Sequence, residues 1–152
     1  YVQRWNIEVY HRTLKSGCRI EDRQLGGADQ LESCLAIDLV VAWRVLHLTK
    51  LGRATPAVPC TVYFEEHEWK ALVAFTTQCA EPPPTPPSLW VAMLMVATLG
   101  GWLGRKSDGP PGAQVLWRGL QRLDDIEAMY KVFAAPPPGP RSPPVSGNPE
   151  YG

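Results

Sequence analysis

Proline placement limits this chain more than any other feature. A proline lacks a backbone N–H and breaks a helix interior. The sequence carries 16 of them, gathered mainly in 82–87, in Pro110-Pro111 and from Pro136 onward. The intervals between these breaks carry helical signals, so the sequence predicts an all-α chain of about five helices. The first, over 1–15, has no Gly or Pro until Ser16-Gly17 stops it. The second opens on Asp29-Gln30-Leu31-Glu32, a capping-box pattern, and runs to about Lys50, where Gly52 ends it. Its Leu35, Ile37, Leu39, Val40, Trp43, Val45 and Leu48 lie on most sides, the pattern of a central core helix.

Pro56 and Pro59 keep the next connector extended, and 61–64 reads as a short extended piece. Glu65, Glu66 and Glu68 then crowd the first turn of a third helix, where the helix dipole favours negative charge. That helix stops by Glu81, before a stiff polyproline spacer over 82–87. Ser88 caps a fourth helix over 89–99, broken by Gly100, Gly101 and Gly104. A fifth follows over 113–133, with Val115, Leu116, Leu120, Leu123 and Ile126 in helical period. From 134 onward Pro, Gly and Ser leave nothing to pack, so a disordered tail is expected.

Charge excludes one class of partner relationship. Fifteen Lys and Arg balance 15 Asp and Glu, which rules out a uniformly basic nucleic-acid binder but leaves room for a local basic face. No apolar stretch reaches the roughly 20 residues of a membrane span without charge or glycine. The first residues are too polar for a signal peptide, and the chain opens on Tyr1 in mid-helix, as a piece of a longer protein would. Cys18, Cys34, Cys60 and Cys79 form no metal-knuckle spacing with each other or with His11, His47 and His67. Reduced, mostly buried thiols in a cytoplasmic protein are the expectation.

In the first helix Tyr1, Arg4, Glu8 and Lys15 are spaced three, four and seven apart. At about 100° per residue they share an arc of roughly 60°. One carboxylate among two cations and a phenol describes a solvated face of ordinary charge pairs. Such pairs are ordinary, so spacing favours that reading over a metal-binding carboxylate flanked by phosphate-holding cations. Spacing alone does not settle the choice.

Tyr1-x2-Arg4-x3-Glu8-x6-Lys15 matches the YREK signature of bacterial DDE transposases of the insertion-sequence-four kind. The surrounding RWNIEVYHRTLKSGCRIE resembles the transposon-five transposase group, as do LAIDLVVAWRVLHLTKLGR, CTVYFEEHEWKAL and ATLGGWLGRKSDGPPGAQVLWRGLQRL. The likeness covers roughly residues 1–130. It implies that 1–51 end a ribonuclease-H-like catalytic core, that 52–133 form a helical C-terminal dimerisation domain, and that 134–152 are the disordered Pro/Gly-rich tail.

By the same resemblance Glu8 is the third acidic residue of the triad, a ligand to one of two Mg²⁺ or Mn²⁺ ions that activate an attacking oxygen and stabilise the leaving one. Tyr1, Arg4 and Lys15 inherit contacts to the backbone of transposon-end DNA. The family's two Asp precede the signature, whereas Asp22, Asp29 and Asp38 follow Glu8. This chain alone is therefore expected neither to cut nor to join DNA. The resemblance also implies a homodimer through the C-terminal helices, with an interface over 89–103 and the fifth helix, including Trp117. Without it, the apolar fourth helix reads as core. Arg105, Lys106, Arg118 and Arg122 either meet phosphates or are simply solvated.

Two other classes stay open. One is a catalytically inactive remnant that binds only DNA or partner subunits. The other is an unrelated helical interaction module whose prolines, at 82–87 and 136–138, are ligands for aromatic grooves.

Overall fold

The computed structural model describes residues 2–17 and 27–134, with side chains at 7–15 and 27–133. Those residues form α1 (Val2–Arg12), α2 (Ala28–Ala54), α3 (Glu66–Thr77), α4 (Leu89–Leu99) and α5 (Ala113–Ala134), with no strand among them. The mainly helical, five-helix expectation holds. The tail expectation falls on residues beyond Ala134, outside the described ones.

α4 is the centre of the molecule. Leu89, Ala92, Met93, Val96 and Ala97 are buried against α2, α3 and α5. Ser88 caps it, its Oγ accepting from Val91 N at 3.4 Å. α5 crosses α4 at backbone contact: a Cβ on Gly100 would lie 1.9 Å from Val115 O, and one on Gly119 2.0 Å from Val96 O. Only glycine permits that approach. One side of the fourth helix is thus core, as its apolar residues suggested. Val91 on α4, and Leu103 in the loop after it, stay exposed.

The second helix also departs from expectation. It begins at Ala28 behind an extended Gly27 with no side-chain cap, so Asp29 lies inside the first turn rather than capping it. It runs through Gly52 to Ala54, because Met93 of α4 packs over that glycine and fills the space a side chain would need. Its second half is core, with Val45 and Leu48 fully buried. Its first half is not. Leu31, Leu35, Ile37, Leu39, Val40 and Trp43 are exposed, while Ala42 on another side is buried with Leu14 and Trp117.

Two connectors are stitched together. Cys60 N donates to Pro87 O at 2.9 Å and Leu89 N to Val58 O at 2.7 Å, either side of a bridge between Pro59 and Ser88. Residues 60–62 make a 3₁₀ turn rather than the extended piece expected over 61–64. Of the cysteines, Cys60 is buried, Cys34 half-buried and Cys79 exposed, so burial is the exception among them. Cys18 lies outside the described residues.

Candidate functional site

The α1 face comes first. Thr13 and Leu14 are buried, and Leu14 packs with Ala42, Val41 and Trp117. Tyr10 Oη donates to Leu39 O at 2.9 Å, fastening α1 along α2. Glu8 and Lys15 are exposed. Arg4 lies on α1 with its side chain outside the described set, and Tyr1 lies outside it altogether.

After Arg12 the helix widens into a π turn over Thr13–Gly17. Thr13 Oγ1 donates to Val9 O at 3.0 Å, just before the widening. Such turns shift the side-chain register of the residues after them, and they recur at functional positions. Lys15 sits inside it, so the even α-helical arc expected for all four residues does not extend unchanged to Lys15.

The donor set tests the divalent metal. Mg²⁺ and Mn²⁺ take about six hard ligands. Among the described residues no group of three or more His, Cys, Asp or Glu is placed to hold a metal. Glu8 supplies one carboxylate, so the residues present do not by themselves fit the ion.

A second cluster escaped the sequence reading. Arg44, midway along α2, pairs with Glu68 of α3 at 2.7 Å and approaches Asp124 of α5 at 3.9 Å. Tyr63 Oη donates to Arg44 O at 2.8 Å. Glu68 also accepts from Glu65 N at 2.8 Å while Glu65 accepts from Glu68 N, a capping box that opens α3. Burial is the largest influence on Arg44 and opposes its charge, but the bond to Glu68 and the charges of Tyr63 and Glu68 together outweigh it and raise its pKa. Burial pushes Tyr63 up to about 12, against the pull of Arg44. Burial also raises Asp124, with Arg44 opposing. The signal available in the sequence was an arginine inside an otherwise apolar helix.

Beside this network Trp43, His47 and Tyr63 stand in a row. Their ring centroids are 4.8 Å apart for Trp43–His47 and 5.7 Å for His47–Tyr63. The cleft they line, with Val40 and Val62, holds about 470 Å³.

The basic residues near α5 are divided. Arg122 donates to Leu99 O and so closes the C-terminal end of α4. Arg105, Lys106 and Arg118 are exposed. Arg105 N donates to Asp108 Oδ2 at 2.9 Å, and Trp102 Nε1 to Gly109 O at 3.2 Å, which shapes the 102–109 loop. The outer side of α5 exposes Met129, Val132 and Phe133, and Phe75 is exposed on α3. Trp117, expected at an interface, is half-buried between the two apolar clusters.

A protein-family model described as the transposase Tn5 dimerisation domain matches residues 40–131, more than half of the chain.

Proposed function

The chain belongs to the family of the transposase Tn5 dimerisation domain, and from that premise we propose that it acts as the C-terminal part of a cut-and-paste DNA transposase. In this reading α1 and the first part of α2 close a ribonuclease-H-like catalytic core over 1–51. α3, α4 and α5 form the dimerisation domain. What carries the reading is the joining of two features in one packed unit: the family match over 40–131, and the helix bearing Glu8 and Lys15 clamped to it through Tyr10 and Leu14.

Glu8 would supply one ligand to a Mg²⁺ or Mn²⁺ site completed by groups that are not among the described residues. Tyr1, Arg4 and Lys15 would hold DNA phosphates near the transposon end. These contacts position the duplex and read no sequence. Such a protein works in the cytoplasm, and no described helix is long and apolar enough to cross a membrane.

The dimer contact would use the outer side of α5, where Ile126, Met129 and Phe133 recur at helical spacing beside Phe75. On α4, Leu89, Ala92, Met93, Val96, Ala97 and Leu99 are already buried in the core.

DNA affinity measured against salt tests the nucleic-acid half. Each phosphate neutralised contributes about 0.9 to the slope of log K against log salt, so Lys15→Ala should lower the slope by about 1. An unchanged slope removes Lys15 from the contact. Incubation of this chain alone with DNA and Mg²⁺ should give no strand transfer, and Glu8-dependent cleavage would overturn that part. Failure to bind DNA at all, with dimerisation intact, would favour a remnant that engages partner subunits only.

A further inference from the structure

We propose that the aromatic cleft beside Arg44 is a docking groove for proline-rich peptide, and that its occupant is this chain's own segment 136–144. Polyproline segments bind shallow grooves built from rows of aromatic rings, because the proline ring stacks on them and the extended backbone has little entropy left to lose. Trp43, His47 and Tyr63 make such a row. Val40 and Val62 extend it with exposed apolar surface, and Trp43 itself is 56% exposed.

The row is held rigid from beneath. Tyr63 is fixed by its bond to Arg44 O, and Arg44 by Glu68. A groove already in shape needs no ordering when the ligand arrives. Glu65 borders the cleft, its exposed carboxylate anchored by the capping bond.

The segment has the matching chemistry. It reads Pro136-Pro137-Pro138-Gly139-Pro140-Arg141-Ser142-Pro143-Pro144, with prolines on both sides of a single cation. Arg141 suits Glu65, and the prolines suit the rings. The tether also delivers it to the right end of the molecule. Lys131, in the last turn of α5, bonds Glu127 and feels the charges of Glu65 and Glu68. The chain therefore leaves α5 close to the acidic rim of the cleft. From Ala134 to Arg141 an extended polyproline backbone spans about 20 Å. Tethering over that length gives an effective concentration on the order of 1 mM, enough to fill a groove of ordinary weak affinity.

Tryptic cleavage of the folded full chain reads the contact directly, because the Arg141-Ser142 bond is a substrate only when the segment is off the surface. Cleavage at Arg141 should run about tenfold faster in Trp43→Ala than in the parent chain. Val62→Asp, at an exposed position on the other side of the row, should have a similar effect. In spectra of the parent chain, the Trp43 indole N–H should move when Pro137 and Pro140 are both replaced by Ala, while the other tryptophans stay in place. Equal cleavage rates together with an unmoved Trp43 resonance would overturn the proposal. Protection that falls on dilution would overturn the intramolecular occupant and assign the groove to the same segment of a second copy.

Discussion

Arg44 joins α2, α3 and α5 through one guanidinium, with Glu68 as its closest partner. Removing Glu68 strands a half-buried cation and opens the capping box at the same time. Glu68→Ala should therefore cost about 2–3 kcal/mol in urea unfolding, less than a fully buried pair because Arg44 keeps some water. Lys70→Ala breaks the solvated pair with Glu66 and should leave the midpoint unchanged. Burial also gives the fold an alkaline limit. It holds the Cys60 thiol up at about 11 and the Tyr63 phenol at about 12, against ordinary values of 9.0 and 10.0. Both groups keep their proton longer when folded. Their contribution is thus complete below about pH 9 and is withdrawn as pH rises toward 11 and 12. Urea midpoints should fall across that window, and Tyr63→Phe should flatten the part above pH 10. A midpoint constant from pH 8 to 11 would refute this.

At the scale of elements, the crossing of α4 and α5 depends on backbone touching backbone. Gly119→Ala would gain roughly 1 kcal/mol of helix propensity, yet its methyl would meet Val96 O at 2.0 Å. The helices would have to separate. We expect a net loss of about 3 kcal/mol by thermal melting, the upper end of what overpacked cores show. Gly112→Ala, with nothing within 4 Å, should be neutral. The same crossing marks the boundary of what local sequence reveals. Ser88 and the Glu65–Glu68 pair were readable because a cap is made within a few residues. The continuation of α2 past Gly52 was not, since it depends on Met93 about forty positions away. Nor was the exposure of the first half of α2, which is as apolar as the second half and differs from it only in what packs against it. The candidate site divides likewise. Glu8 and Lys15 are each exposed, but the π turn that breaks their common arc and the Arg44 network left no mark on periodicity.

For the whole molecule, the exposed stripe on α5 carries the assembly prediction. Met129→Asp with Phe133→Asp should shift sedimentation from dimer to monomer while the circular dichroism spectrum stays unchanged, since both side chains are largely in solvent. A dimer that survives both charges would move the interface elsewhere, with Leu103 and Val91 next to be tried. The stitched connectors have a different consequence. Because residues 60 and 87 meet at the bridge between Pro59 and Ser88, everything between them leaves and returns through one doorway. Within that loop α3 is anchored by Trp69 and Leu72, but the stretch after Thr77 is mostly on the surface. Lengthening a surface loop whose ends are pinned costs little, about 0.6 kcal/mol per doubling. Descendants of this chain are thus free to change length between Gln78 and Pro86, and an affinity tag or a whole foreign domain could be spliced there without disturbing α4.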